Sequence, residues 1–429
     1  MPKHYKTDDV YVAAKKRLEY MFDEFDHVSV AFSGGKDSTV MTHLALEVAE
    51  EMGIGPLHVY CIDLEGNYKM TDVHIKEILE LPNVIPYWIC LPLNLRNGTS
   101  VHEPYWTPWD PEDEEHWIRP MPPESYVINI DNHEFDFWRD RMEFEEFAPL
   151  LSRYFNDKLG GTLINLVGIR SDESLNRFRT VTGERASRYK GVHYTTKVNP
   201  NTYNGYPIYD WRTEDVWRYI GKNDLSYNKL YDHMYLNGKS IHEMRICQPY
   251  GDDQKQGLDQ FHAIEPETWN RTVNRVQGAN FGAKNPRSKA LGYYRGTGLP
   301  EAMPSWKDYT LYMLKTLPKV TSAQYMRKFA VFIEWWGRNG YPFDDIPDII
   351  EGKSLGDKSA PSWARMSMTI LKLDFICKSL SFAQNKNIRD WIDDVEAGTK
   401  VAVRKGVQVD FDRLVKLVND YNFQNETQD

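Results

Sequence analysis

Apolar and polar positions along the first part of the chain alternate in two rhythms. Residues 8–25 repeat at helical spacing, with Val12, Leu18, Met21 and Phe22 on one side. His27–Phe32 is a short apolar run, predicted as a strand. It leads into Ser33-Gly34-Gly35-Lys36-Asp37-Ser38. Val40, Leu44, Val48 and Met52 then recur at helical spacing, and Gly53 and Gly55 end that helix. Strands are predicted over Leu57–Ile62 and Val84–Leu91, with a charged helix at about residues 70–80 between them. A further buried strand is expected over Thr162–Ile169. This βαβα alternation predicts an α/β fold: a doubly wound, mostly parallel sheet with helices on both faces.

The rhythm breaks over 93–147. Trp106, Pro108, Trp109, Pro111 and the acidic run Glu112–Glu115 mark an insertion near the sheet edge, either a lid or a packing cluster. Residues 305–390 read as helical, with Trp306, Trp335, Trp336 and Trp363, and with Leu311, Leu314 and Leu317 on one face. The expected organisation is an N-terminal helix (1–26), an α/β domain (27–221) carrying the insertion, a basic connecting region (222–304) and a mainly helical C-terminal domain (305–429).

Composition narrows the classes. The chain has 429 residues, 41% of them hydrophobic, which excludes global disorder. Its charge, 52 − 62 = −10, excludes a surface that is basic throughout. Residues 271–295 are the exception. They carry Arg271, Arg275, Lys284, Arg287, Lys289 and Arg295, no acid, and interleaved Phe281, Tyr293 and Tyr294. Such a stretch could complete an anion pocket, bind nucleic acid or form a solvated basic face. Cys61, Cys90, Cys247 and Cys377 form no CxxC pair. No structural zinc or iron–sulfur cluster is expected, and the thiols fit a reduced, cytoplasmic setting. No signal-peptide core and no run of ~18–20 apolar residues is present, so no membrane partner is expected.

The glycine loop carries the chemistry. Between a strand and a helix, paired glycines let backbone N–H groups approach an anion, and the helix N-terminus adds donors and partial positive charge. Ser33 and Ser38 offer hydroxyls, and Lys36 can offset phosphate charge. Asp37 suits the helix start and could also hold a magnesium ion. GxxxxGK[ST] is absent and no GxGxxG follows the strand, which disfavours P-loop NTPases and Rossmann dehydrogenases. Ligands of such sheets bind beyond the strand C-termini. Asp63 and Arg170 are expected at such ends. Asp63 could accept from a ribose or an adenine amine, or simply form a turn. Arg170 could clamp a phosphate or sulfate, or pair with Glu173. Trp211 and Trp217 are expected in the core.

Three segments carry a resemblance. Ser33–Ser38, Gly168-Ile169-Arg170-Ser171-Asp172-Glu173-Ser174 with Arg177 beyond, and Pro207-Ile208-Tyr209-Asp210-Trp211…Asp215-Val216-Trp217 resemble, in order, the motifs of the PP-loop adenine nucleotide α-hydrolase-like superfamily. The last two resemble those of its phosphoadenosine phosphosulfate (PAPS) reductase-like branch. That resemblance implies a HUP/PP-loop fold and an ATP or PAPS-like adenine nucleotide with magnesium. It implies nucleotide contacts from Ser33, Gly34, Gly35, Lys36, Asp37, Ser38, Asp63, Arg170 and Glu173, with Lys36, Asp37 and Arg170 in the chemistry. The reductases' Cys in an E-C-G-x-H motif has no counterpart, because Cys247 lies in Arg245-Ile246-Cys247-Gln248-Pro249. The expected function is therefore ATP- or sulfonucleotide-dependent chemistry at the α-phosphate, of pyrophosphatase or adenylyltransferase type. The alternatives are a nucleotide-sensing regulatory module and a true PAPS reductase. Gly278–Phe281, Ile346–Asp348, Pro361–Trp363 and Ser381–Gln384 resemble a subgroup with a C-terminal extension of unknown function. The immunoglobulin-binding regulator IbrA resembles that subgroup too. The resemblance implies a prophage or phage setting and a ParB/sulfiredoxin-like protein partner; a nucleic acid partner is one of the readings that the basic composition of 271–295 leaves open.

Overall fold

The computed structural model describes residues 7–100, 102–183, 187–246, 258–284, 298–382, 395 and 407–421. In chain order its regular elements begin with α1 (Val10–Glu24), β1 (His27–Ala31), α2 (Lys36–Glu51), β2 (Leu57–Ile62), α3 (Lys69–Leu79) and β3 (Val84–Ile89). Next come β4 (Leu95–Arg96), β5 (Tyr105–Trp106), β6 (Val127–Ile128), α4 (Phe144–Leu159), β7 (Leu163–Val167) and α5 (Leu175–Thr182). Then follow β8 (Thr195–Asn199), β9 (Thr202–Gly205), α6 (Thr213–Lys222), α7 (Leu230–Leu236), α8 (Leu258–Ile264), α9 (Pro266–Arg275) and α10 (Ala279–Lys284). The chain closes with α11 (Trp306–Thr316), α12 (Lys319–Gly337), α13 (Trp363–Leu371) and α14 (Gln408–Asp420). Among the described residues no helix is long and apolar enough to cross a membrane.

The fold is the expected one. Seven strands run in the order β6-β3-β2-β1-β7-β9-β8. All neighbours are parallel except β8 and β9, which form an antiparallel edge. Alternation along each strand sorts side chains to two faces. Val30, Val59 and Leu166 face a core shared with Leu18, Leu44, Ile75 and Val216 of the helices. Tyr60 and Leu163 face Phe147, Leu151 and Phe155, which recur every four residues along α4 and are buried. Truncating Leu151 to Ala is expected to cost about 2–5 kcal/mol. Asp9 caps α1 by accepting from the Val12 N–H at 2.9 Å, but the Val12 side chain is 38% exposed, so only Leu18, Met21 and Phe22 of the predicted face are buried. The segment Pro207–Trp211 anchors α1: Asp210 pairs with Arg17 at 2.6 Å, and the Trp211 Nε1–H donates to the Val10 carbonyl at 3.0 Å.

Two compact units are present. The first takes residues 1–93, 107–248 and 260–275; the second takes 94–106, 249–259 and 276–429. The insertion is thus divided. Its later part supplies β6 to the first unit's sheet, with Trp88 opposite Val127. The anticipated connector 222–304 is divided as well, because α9 buries Trp269 and Thr272 within the first unit. In the second unit α11, α12, α13 and α14 pack around Trp306, Phe329, Ile333, Trp363 and Leu414. Ser305 and Ser362 cap α11 and α13, and Asp348 accepts from the N–H groups of Trp306 and Lys307. Trp335 of α12 is 49% exposed.

Candidate functional site

The site lies in the first unit, where β1 hands over to α2. Gly34 has φ +73°, and a Cβ there would stand 2.7 Å from Thr71 Cγ2, so the turn requires glycine on two grounds. Gly35 is extended and precedes the first helical residue, Lys36. The helix therefore starts four residues before Val40, the first residue of the apolar spacing. Its first N–H groups have no intrahelical acceptor. That of Lys36 donates to the Tyr231 hydroxyl at 2.9 Å. Among the described residues, those of Asp37 and Ser38 have no protein acceptor. The loop is held from behind. Asn228 Nδ2 donates to the Gly34 carbonyl at 3.0 Å, and the Thr39 hydroxyl donates to the Gly35 carbonyl at 2.9 Å while meeting His74 Nε2 at 2.8 Å. Ser33 and Ser38 hydroxyls lie 3.1 Å apart.

Gly168 ends β7 against this loop. A Cβ at Gly168 would stand 3.0 Å from Ser38 N and 3.1 Å from Asp37 C, so the two backbones can approach only without a side chain. Arg170 follows. Its Nε lies 2.5 Å from Asp37 Oδ1, and Lys36 Nζ lies 3.6 Å from Asp37 Oδ2. Arg170 therefore pairs with Asp37, not with Glu173; Glu173 pairs with Arg177. Arg245 donates from Nη2 to the Glu173 carbonyl at 2.7 Å, and Lys36 Nζ donates to the Met244 carbonyl at 3.1 Å. Four cations (Lys36, Arg170, Arg177, Arg245) thus meet two carboxylates (Asp37, Glu173), for a local charge of 4 − 2 = +2 beside a helix N-terminus. Burial pushes the Lys36 ammonium down despite Asp37. The charged lysine is short of solvation, which an anion in the site would restore.

A cavity of about 610 Å³ opens from this cluster and runs along the sheet toward α4. That size is typical of a small-molecule site. Ser33, Gly35, Lys36, Asp37, Ser38 and Glu173 line it, so the structure brings most of the anticipated residues together. Gly34 and Arg170 support it from behind. Arg177, Tyr231 and Arg245 line it too. They were not among the anticipated site residues. Arg177 follows the Gly168–Ser174 motif by three residues, whereas Tyr231 and Arg245 come from the region read as a connector, with no local signal.

Asp63 stands elsewhere. Its carboxylate is fully buried, paired with Arg119, and accepts from Trp88 Nε1 at 2.7 Å. Its backbone carbonyl accepts from Trp109 Nε1 at 3.0 Å. It holds the insertion to the end of β2, and its neighbours Ile62, Leu64 and Asn67 line the cavity instead. The basic stretch is likewise partly spent inside. Arg275 is nearly buried, pairs with Glu65 at 3.0 Å and with Asp113, and donates to the Thr107 carbonyl at 2.7 Å, which removes it from any nucleic acid surface. Arg287, Lys289, Tyr293, Tyr294 and Arg295 lie outside the described residues, as does Cys247. Cys61, Cys90 and Cys377 are buried, and burial raises each thiol well above its usual range, so none supplies a thiolate.

Asp37, the anticipated magnesium ligand, has its two carboxylate oxygens facing Arg170 and Lys36. A magnesium ion carried by a nucleotide would be held chiefly by phosphate oxygens and water, with Asp37 as the carboxylate anticipated to join them.

The chain is similar to known proteins over parts or most of its length. Residues 114–237 match the phosphoadenosine phosphosulfate reductase domain, and residues 238–347 match a domain of unknown function, DUF3440. The uncharacterized protein YbdN of Escherichia coli is 33% identical over 385 residues, covering 88% of this chain and 92% of that protein. An adenosine 5′-phosphosulfate reductase of Lysinibacillus sphaericus is 31% identical over 80 residues, 19% of this chain and 30% of that enzyme. Among solved structures, the FMN adenylyltransferase of Candida glabrata aligns with a TM-score of 0.32 at 16% identity, covering 54% of this chain and 62% of that one.

Proposed function

The chain belongs to the YbdN family, which joins a PAPS reductase domain to a DUF3440 domain, and on that premise we propose that its cavity binds an adenine nucleotide for displacement at the α-phosphate. One observation carries the reading: the +2 cluster of Lys36, Arg170, Arg177 and Arg245 with Asp37 and Glu173, set at the N-terminus of α2 and at the mouth of a 610 Å³ cavity. The N–H groups of Asp37 and Ser38 and the Lys36 ammonium receive the phosphate chain. Arg177 and Arg245 stabilise the charge that gathers on the departing anion. Asp37 positions Lys36 and Arg170. An oxyanion acceptor would need no general base, and none stands among the loop residues.

The test is thermal unfolding with ATP, adenosine 5′-phosphosulfate and PAPS, each in EDTA, joined to assays for pyrophosphate and sulfite release. A rise in Tm with at least one nucleotide, and pyrophosphate release that Lys36→Ala abolishes, is expected. No shift with any of the three would overturn the reading. Sulfite release lost in Cys247→Ser would replace it with reduction.

A further inference from the structure

Behind the glycine loop, a relay of hydrogen bonds runs from the Gly35 carbonyl to a histidine. That carbonyl is oversubscribed. Three donors stand 2.9 Å from it: the Thr39 N–H, the Thr39 hydroxyl and the Ser38 hydroxyl. A carbonyl oxygen has two lone pairs. The Thr39 N–H belongs to the helical ladder of α2 and takes one of them. The two hydroxyls compete for the other, and the loser turns its hydrogen elsewhere.

For Thr39 the alternative acceptor is His74 Nε2, at 2.8 Å. Both residues are buried, so solvent offers them no substitute. For Ser38 the alternative lies inside the site: Ser38 lines the cavity, and its oxygen stands 3.1 Å from the Ser33 hydroxyl. His74 decides between the two arrangements. Its Nδ1 lies 3.3 Å from Glu77 Oε2, and a carboxylate only accepts, so Nδ1 carries a hydrogen. In the neutral ring Nε2 is then a bare acceptor. It takes the Thr39 hydrogen, the Ser38 hydrogen goes to Gly35, and Ser38 presents lone pairs to the cavity. A second proton on the ring reverses each step. Nε2–H donates to the Thr39 oxygen, Thr39 donates to Gly35, and the Ser38 hydrogen turns into the cavity.

Few charges act on this ring. Glu77 lies on its own helix, α3, and also accepts from the Ser226 hydroxyl at 2.7 Å. From other elements, among the described residues, the titratable groups acting on it are His43 of α2 and Lys229, just before α7. Burial pushes the His74 imidazolium below the usual histidine range; Glu77 opposes this and Lys229 adds to it. The ring is therefore neutral at pH 7 and gains its second proton below about pH 6.5.

We infer that His74 is a positioning residue for the anion held by the glycine loop: acting through Thr39 and the Gly35 carbonyl, it turns the Ser38 hydroxyl from an internal bond toward that anion. This rests on the proposed reading of the loop and adds the control of one of its donors. Capture of the anion tightens as the solution becomes acid.

The experiment is calorimetric titration of the full chain between about pH 5 and 8. The probes are adenosine 5′-phosphosulfate and inorganic sulfate, neither of which changes charge over that range. Affinity for the phosphosulfate should rise by about 10-fold from the alkaline to the acid end, the worth of one hydrogen bond to a charged group. Thr39→Val cuts the relay but leaves His74 titrating, so its affinity should change by less than about 3-fold. His74→Gln should be as flat, whereas Thr39→Ser keeps the hydroxyl and should restore the full rise. An equal rise in wild type and Thr39→Val overturns the inference, because the histidine would then act by charge alone. A flat wild type that binds the phosphosulfate overturns it as well and leaves the nucleotide reading intact. If Thr39→Val loses its near-UV circular dichroism, Thr39→Ala takes its place in the same comparison. Wild type that binds sulfate with this pH response, but no phosphosulfate, would sink the nucleotide reading and leave the role of His74 standing. Binding of neither probe at any pH would sink both.

Discussion

Replacing Asp37 by Asn separates a positioning carboxylate from a metal-binding one. Asp37 lies 2.5 Å from Arg170 Nε and 3.6 Å from Lys36 Nζ, and the two cationic side chains are 3% and 5% exposed. At an effective dielectric of ~20 the Lys36 contact alone corresponds to about 4–5 kcal/mol of attraction before desolvation is counted. Removing one partner from a buried pair leaves uncompensated charge, and the net cost is about 3–5 kcal/mol. In a unit of this size that lowers Tm by roughly 6–20 °C. The same change raises the local charge from +2 to +3. Inorganic pyrophosphate should therefore bind Asp37→Asn at least as tightly as wild type and restore more of its stability. The assay is near-UV circular dichroism on heating, with and without pyrophosphate, in EDTA. An unchanged Tm would show that the Asp37–Arg170 pair does not carry the loop. Loss of pyrophosphate stabilisation in the variant, or its appearance only with added magnesium, would show that Asp37 acts through a metal.

Three further outcomes follow from other contacts. Gly168→Ala should weaken nucleotide binding by about 10-fold or more and cost about 1–3 kcal/mol, since its Cβ meets the Ser38 and Asp37 backbone at 3.0–3.1 Å; calorimetry and denaturant titration check both. Glu65→Ala should cost about 3–5 kcal/mol and red-shift tryptophan fluorescence, because Glu65 accepts from the Trp109 and Ile118 N–H groups at 2.7 and 2.9 Å and pairs with buried Arg275. His43 is half-buried, with its Nε2 buried and, among the described residues, without a hydrogen-bond partner; desolvation, and secondarily His74, lower it from 6.5 to about 4. The unfolded chain then binds the extra proton first, so stability falls as pH drops from about 6.5 to 4, by on the order of 3 kcal/mol. His43→Leu should flatten that part of the wild-type pH–stability curve, and an unchanged slope would contradict the assignment.

What the sequence revealed follows from range. The loop and the strands around it were legible because strand, glycine turn and helix are written within a few residues of one another. The edge strand Val127–Ile128 was not, since two residues have no period to detect. Long-range pairing decided the rest. Asp63 reads as a ligand contact at a strand end, yet its partner Arg119 arrives from 56 residues away inside the insertion. Arg170 has Glu173 as its nearest acid in sequence, but the close approach at Gly168 delivers Asp37 instead. Tyr231 and Arg245 reach the loop from a segment whose composition resembles a linker. Ser29, Asn165 and Asn204 form a polar row only in the register of three strands.

The central claim is that this cavity holds an adenine nucleotide by its own cations. Calorimetric titration of the wild-type chain with ATP, and separately with adenosine 5′-phosphosulfate, in excess EDTA tests it most directly. The account predicts saturable one-to-one binding of at least one of them, weakened by about 10-fold or more in Arg177→Ala and Arg245→Ala through loss of charge-assisted hydrogen bonds. A folded protein that gives no binding heat with either nucleotide, or binds only when magnesium is restored, would contradict it.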